Sequence, residues 1–404
     1  MKKDMKRAAL IFIFVLGIIS FFSDFTHEGA RSIYGPYLNI LGAGAFIVAF
    51  AAGLGEFIGQ ALRIFTGIIA DKTKKYWTMM IIGYALNLLA IPLLAFVQPS
   101  IWWVAVVLIL VERVGKAVRA PAKSALTSFT APHLGAGKAF AINEALDQFG
   151  AFLGPLVVFF MISSQQGDEL SRYQMSFLML GIFAIITLII LFVARFKYPN
   201  PDQFEAPKLK PKELTKDKQF WIYMLAISFL AMGFIDYPIL AYHMDASNLV
   251  NVIYIPLFYS IAMGVDAVAA LIFGHLFDKK GLYSLILAIS IALFSTPLIF
   301  LFNDIYFIII GIVLWGVGMG AQESVLKAVI ANLISKEKRA TGYGIFSSVF
   351  GLFWFIGSLI IGFAYEKSIL FIIIFSVAME VLSILTLFLL MSYQKKELKP
   401  LKNS

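Results

Sequence analysis

The chain has no cysteine and only four histidines in 404 residues. Disulfides, thiolate metal sites and cysteine nucleophiles are therefore excluded. Charge is scarce too: Asp, Glu, Lys and Arg make up 14% of the chain against 60% hydrophobic residues, and the mean hydropathy is +0.86. Soluble domains carry about a quarter charged residues, so this composition is that of an integral membrane protein. No GxxxxGK[ST] loop is present, which removes ATP use through that motif. No convergent serine, histidine and carboxylate motif of a hydrolase is recognisable, and enzyme activity is not expected. Long polar stretches are missing as well, except between Lys197 and Lys218.

What the chain does have is long apolar runs. Crossing the hydrocarbon core takes about 20 apolar residues, and twelve segments meet that measure, near 8–38, 43–70, 76–97, 101–120, 138–162, 174–195, 219–244, 252–277, 282–302, 305–334, 340–364 and 367–392. The polar connection 197–218 divides them into an N-terminal bundle of six, 1–196, and a C-terminal bundle of six, 219–404. The first segment follows the basic start MKKDMKR without a small-residue cleavage site, and reads as a retained helix.

Lys and Arg crowd every second connection: Lys2, Lys3, Lys6 and Arg7 at the start, Lys72, Lys74 and Lys75, the central loop, Lys279 and Lys280, then Lys336, Lys338 and Arg339, and the C-terminal tail. The alternate loops hold little beyond Asp168, Glu169, Arg172, Asp304, Glu366 and Lys367. By the positive-inside rule both termini and the central loop are expected on the cytoplasmic side of the cell membrane. The net charge of +9 is thus an orientation signal towards the lipid bilayer, and no nucleic-acid partner is expected.

The halves also repeat. Gly67–Lys75, GIIADKTKK, recurs as Gly274–Gly281, GHLFDKKG, each at the end of the second span of its half, and Asp24 in the first span is echoed by Asp236 in the seventh. The expected fold is all-α: two pseudo-symmetric six-helix bundles related by an axis along the membrane normal, with a site between them near the midplane.

These motifs carry a resemblance to the major facilitator superfamily over essentially the whole chain. Gly67-xxx-Asp71-Lys72 is similar to its loop signature, with Lys74 where a second glycine is usual, while Gly281 keeps that glycine in the repeat. Phe149-Gly150-xxx-Gly154-Pro155 resembles the end of a glycine-proline motif associated with antiporters. Ser23-Asp24 through Glu28, Arg113-Val114-Gly115-Lys116-Ala117-Val118-Arg119-Ala120-Pro121 and Asp147 resemble a prokaryotic branch of uncharacterised permeases with a helix 4 RxGKxxRxP motif. The resemblance implies a monomeric secondary transporter with a small-molecule substrate and no cofactor. It assigns Asp71 and Asp278, with Gly67, Lys72 and Gly274, to a cytoplasmic gate. It also places the third helix of each triplet against lipid and the other two around a central cavity.

Charge inside the spans falls on stripes, because residues three, four and seven apart share a helix face. Asp24, His27, Glu28 and Arg31 satisfy this on the first span, Glu56, Gln60 and Arg63 on the second, Glu112, Lys116 and Arg119 on the fourth, and Glu144, Asp147 and Gln148 on the fifth. The third and sixth carry nothing comparable. A charge at bilayer depth is costly unless it faces protein or water, so these stripes mark a candidate site. From the helical rise, Asp24 and Glu28 are expected in the outer half, Glu56 and Glu112 near the middle, and Arg63, Lys116, Arg119, Glu144 and Asp147 in the inner half.

Six acids (Asp24, Glu28, Glu56, Glu112, Glu144, Asp147) face five bases (Arg31, Arg63, Arg113, Lys116, Arg119). The surplus of one predicts a carboxylate without a cation, as a proton carrier requires. The C-terminal half is sparser, with Asp236, His243, Asp266, Glu323 and Lys327. Its Trp315, Trp354 and Tyr343 suit an apolar wall, and Trp102, Trp103 and Trp221 suit interfacial anchors.

The expected mechanism is a proton-coupled antiporter exporting a small amphiphilic or charged organic compound by alternating access. Asp147 or Glu144 would alternate between a proton and Arg119 or Lys116, with Asp24 the second candidate and His27 a possible relay. The alternative is a proton symporter importing an organic anion clamped by Arg63, Lys116 and Arg119. A divalent-metal carrier using Asp24, His27 and Glu28 is a further reading, opposed by Arg31 one turn on, and no resident metal is expected. A non-transporting membrane receptor is the last.

Overall fold

The computed structural model of the chain describes residues 2–130, 136–199, 218–333 and 339–398, and every regular element among them is helical. The first span is α1 (Lys2–Arg31) with α2 (Tyr34–Ile40). Spans two to six are α3 (Ala45–Thr73), α4 (Tyr76–Leu93), α5 (Trp102–Phe129), α6 (Ala136–Ser164) and α7 (Glu169–Lys197). The seventh is α8 (Lys218–Gly233) with α9 (Tyr237–Ala246), the eighth α10 (Ile255–Lys280), and the ninth α11 (Leu282–Ala292) with α12 (Ser295–Leu301). The last three are α13 (Ile305–Leu333), α14 (Arg339–Tyr365) and α15 (Ile369–Leu398). Most of the polar connection 197–218, and Lys336 and Lys338 of the basic loop, lie outside the described residues.

Among the described residues eleven spans are long and apolar enough to cross a membrane. The one left out is α5, disqualified by Glu112, Arg113, Lys116, Arg119 and Lys123. Its 28 residues reach about 42 Å at the rise of 1.5 Å per residue, ample for the twelfth span. Large apolar side chains such as Phe65, Phe96, Phe196, Leu271 and Tyr306 stand exposed on the helices, as lipid-facing surface requires.

Proline explains where the helices break. It lacks an N–H and is tolerated only in the first turn of an ordinary helix. Pro36, Pro238 and Pro297 stand in the first turns of α2, α9 and α12, the second pieces of the three interrupted spans. Backbone groups freed at such breaks must find partners in hydrocarbon. The Trp315 indole donates to the Ile235 carbonyl at 2.8 Å, and Asp236 caps α9 by accepting from the Tyr237 amide at 2.8 Å. Pro121, by contrast, sits inside α5, which continues to Phe129. The apolar run near 101–120 marks only the first part of this helix, which runs on through Pro121.

The residues group into two compact units. The first contains Met1–Gly44, Ile58–Lys208 and Asn251–Ser260, and the second Ala45–Phe57, Leu209–Val250 and Ile261–Ser404. In the first unit glycine lets backbones touch: a Cβ on Gly150 would lie 2.3 Å from the Phe21 carbonyl oxygen, and one on Gly154 2.1 Å from that of Phe25. Both distances are impossible for real atoms, so the Gly150-xxx-Gly154-Pro155 motif seats α6 on α1. Gly83 and Gly115 do the same for α4 and α5. Asn251–Ser260 joins this unit through the Ser260 hydroxyl, which donates to the Phe152 carbonyl at 2.8 Å, and through Tyr254 stacked on Phe159.

In the second unit Gly357 seats α14 on Met232 of α8, and Gly316 and Gly320 seat α13 on Ala262 and Asp266 of α10. The start of α3 belongs here because Gly53 meets Ser358, Ala49 meets Gly362, and Phe50 and Phe57 pack on Phe355. Phe234, Trp315, Phe350 and Trp354 form an aromatic cluster with ring centroids 5.5 to 5.6 Å apart, which includes Trp315 and Trp354 of the expected apolar wall but not Tyr343, whose hydroxyl donates to the Lys327 carbonyl. Trp103 and Trp221 are exposed at span ends.

Candidate functional site

Four helices of the first unit, α1, α4, α5 and α6, bring a column of charged and polar side chains together. At one level His27 lies between two carboxylates: Nδ1 is 2.8 Å from Glu112 Oε1 and Nε2 is 3.4 Å from Glu28 Oε1. These are ion-pair distances whose angles fall short of hydrogen bonds. Glu112 also accepts from the Asn87 side-chain amide and lies 3.4 Å from Arg113 Nε. Glu28 accepts from the Tyr259 hydroxyl at 2.7 Å and from Arg31 at 3.4 Å, and Lys116 Nζ is 3.8 Å away.

One turn along α1, Arg119 Nη2 donates to Asp24 Oδ1 at 3.2 Å, while the guanidinium covers the Tyr84 ring at 4.5 Å and donates to its hydroxyl. Another turn along α5, Lys123 Nζ donates to both oxygens of Asp147, at 2.8 and 3.1 Å. Asn143 donates to the same carboxylate at 3.2 Å and accepts from the Ser20 hydroxyl.

The pairs differ in access. Glu112 and His27 are sealed, with side-chain exposures of 1% and 0%, whereas Asp24 and Asp147 retain 18% and 15%. The sealed level can hold helices in register. The other two are ion pairs inside a membrane span that keep part of their surface open, so they are the less enclosed levels of the column.

Several expectations change. Asp147 is paired with Lys123, not with Arg119 or Lys116; Arg119 is taken by Asp24, and Lys116 is nearest Glu28. Glu144 is exposed. With Lys123 counted, six acids and six bases balance in number in this half, and the buried acids Asp24, Glu28, Glu112 and Asp147 each lie beside a cation. Asp24 and Arg119, assigned to outer and inner halves, meet at one level because α5 runs on to Phe129 and its middle lies nearer Arg119. Asp24, His27 and Glu28 do not converge on one point, since Asp24 turns to Arg119.

The Asp24–Asp236 echo also fails in register. Asp24 lies within α1, twelve residues before Pro36, whereas Asp236 caps a helix two residues before Pro238. Matched at their prolines, Asp236 corresponds to Tyr34. Glu56 and Arg63 are half-buried on α3, Glu56 in the part of that helix that belongs to the second unit. In the second unit Asp266 is buried on α10, Glu323 and Lys327 are exposed on α13, and His243 Nδ1 lies 2.8 Å from the Tyr365 hydroxyl.

At the repeated loops Asp71, Lys72 and Asp278 stand exposed in the last turns of α3 and α10. A Cβ on Gly67 would lie 3.8 Å from Pro121 and one on Gly274 3.9 Å from Ser324, matching approaches in the two halves. Lys74 adopts φ 53°, ψ 15°, and Gly281 φ 58°, so both copies turn through the left-handed region that favours glycine.

Tyr84, Asn87, Lys123, Asn143 and Tyr259 were not foreseen. Lys123 follows Lys116 and Arg119 at helical spacing and was readable once α5 is carried through Pro121. Tyr84 and Asn87 lie on the third span, which carries no charge, and polar uncharged residues give no stripe signal. Tyr259 is 231 positions from its partner, and no local pattern connects them.

The model of the Major Facilitator Superfamily matches residues 13–292 and 238–404. An uncharacterised protein of Mycobacterium tuberculosis is 33% identical over 387 residues, 93% of this chain and 92% of the relative. An uncharacterised MFS-type transporter of Methanocaldococcus jannaschii is 27% identical over 88% of this chain and 89% of its own length. Among solved structures, a mutant of the nucleoside transporter NupG superposes with a TM-score of 0.75 at 13% identity, covering 94% of this chain and 99% of that one. At that identity the likeness concerns the fold.

Proposed function

The chain belongs to the Major Facilitator Superfamily, and on that premise we propose that it is a proton-coupled secondary transporter working by alternating access. Its halves, 1–196 and 219–404, are the bodies that rearrange, with both termini in the cytoplasm and the gate motifs at Asp71 and Asp278. The observation that carries the reading is the Asp147–Lys123 pair, at 2.8 Å inside the spans and with both side chains incompletely buried. A proton bound by Asp147 removes its attraction for Lys123 and frees the ammonium. Asp24 and Arg119 offer a second pair of the same kind. Substrate binding that recruits the freed cation and proton binding that frees it are then mutually dependent, which is coupling.

The favoured direction is antiport exporting a small charged or amphiphilic organic compound, supported by Gly150-xxx-Gly154-Pro155 and its seat on α1. A second reading, symport of an organic anion, draws on the level around His27. There Arg31, Arg113 and Lys116 outnumber Glu28 and Glu112, so an anionic group would balance the site. The experiment is lumenal pH in proteoliposomes under an imposed gradient, with pooled solutes, comparing the natural chain with Asp147→Asn. Solute-dependent proton flux that is lost in the variant supports coupling, and its sign selects antiport or symport. Tracer movement with no pH response rejects proton coupling.

A further inference from the structure

A deeply buried carboxylate with no cation beside it stands in the second unit. Glu380 is the twelfth residue of α15, about 17 Å along that helix and so near the middle of the bilayer. It is 2% exposed, and among the described residues it has no ion pair and its Oε2 has no hydrogen-bond partner. The elements packed on α15 are α8, α11, α12 and α14. Their only cationic residues are Lys218, which begins α8, and Arg339, which begins α14. Their other titratable groups are the tyrosines 223, 283, 343 and 365, and beyond the break after α8 Asp236 is engaged in capping α9.

The surroundings suit a neutral acid. An isolated carboxylate at this depth costs several kcal/mol, far more than the protonated form, which also gains an O–H donor. Ser376, Glu380, Ser383 and Thr386 are all buried at spacings of four, three and three residues, which places them along one face of α15. Ser376 donates to the Gly233 carbonyl at 2.7 Å and lies 3.0 Å from the Thr296 hydroxyl. Ser383 Oγ, one turn beyond Glu380, is the second buried oxygen on this face without a partner. A Cβ on Gly233 would lie 3.2 Å from Glu380 Cγ, so the acid rests against the last residue of α8, where the seventh span breaks.

We propose that Glu380 is a proton-binding site: a carboxylic acid carried neutral within the twelfth span, exchanging its proton along the Ser383 and Thr386 hydroxyls beside the break in the seventh. The site is separate from the Asp147 pair and is read without any substrate, so either can fail alone. The test is infrared spectroscopy of the purified full chain in lipid nanodiscs at neutral pH, with side-chain carboxyl carbon-13 in glutamate. The expected result is a protonated-acid carbonyl band that shifts with the isotope and is missing from Glu380→Gln. No such band, or one unchanged in the variant, overturns the proposal. So does failure of Glu380→Gln to fold, because a neutral isostere must be tolerated where the acid is neutral and unpaired. Transfer to D2O should shift the band, several-fold more slowly in Ser383→Ala. A band that never shifts means a sealed structural acid and refutes the exchange.

Discussion

The two units solve the problem of polarity in a membrane in opposite ways. The first gathers carboxylates and cations until they answer one another: Glu112 with His27 and Arg113, Asp24 with Arg119, Asp147 with Lys123. The second keeps cations away from its buried levels and settles backbone breaks with neutral donors such as Trp315, leaving Glu380 alone. Paired charge is therefore expected to be indispensable where it is sealed and exchangeable where it is less enclosed, while a lone acid is expected to be replaceable by an amide.

The largest effect that tests this contrast is Glu112→Ala. Removing one member of a sealed cluster strands the others, so a loss of about 3–5 kcal/mol is expected, read as thermal unfolding of purified protein in detergent. Glu380→Gln in the same assay should change stability by less than about 1 kcal/mol, the usual size for a substitution that removes no contact. Equal losses in the two variants would break the comparison.

Next come the glycines that seat α6 on α1. Gly154→Val drives a side chain into the Phe25 carbonyl and should cost about 1–3 kcal/mol or more, whereas Gly67→Ala, with 3.8 Å to Pro121, should stay within about 0.5 kcal/mol. If both variants behave alike in yield and melting temperature, the close approach is not a packing requirement.

The effect of Asp147→Asn on stability is of similar size, about 1–3 kcal/mol, because the pair is mostly buried and the variant leaves Lys123 without its carboxylate, even though proton-coupled flux should vanish. Exchanging the pair, Asp147→Lys with Lys123→Asp, should recover the lost stability, and the size of that recovery measures the coupling. The smallest change sharpens the comparison of the repeated loops. Lys74→Gly relieves a left-handed residue and should stabilise by up to about 1 kcal/mol, while Gly281→Ala should destabilise, both read from thermal melts.

Much of this was legible in the sequence. Hydropathy marks the spans, since each is a run of about 20 apolar residues, and the charge stripes of α1, α5 and α6 mark the column, since they repeat with the helix period. The apolar run near 101–120 stops short of the rest of α5 and with it of Lys123, and the helix runs on through Pro121, which a packed membrane bundle tolerates. Glu380 was passed over because one acid in an apolar run makes no stripe, and its spacing with Ser376, Ser383 and Thr386 looks like ordinary hydroxyl content.

By itself the sequence determined that the chain is apolar enough to cross the membrane and which helices carry charge, because composition and periodicity act over a few residues. Only the tertiary structure decided who answers whom. Asp24 meets Arg119 across 95 positions and Glu28 meets Tyr259 across 231, and those partners are chosen by how the helices pack. The same packing left Glu380 without a cation, since charge balance in a bilayer is settled by neighbours in space and not by neighbours in the chain.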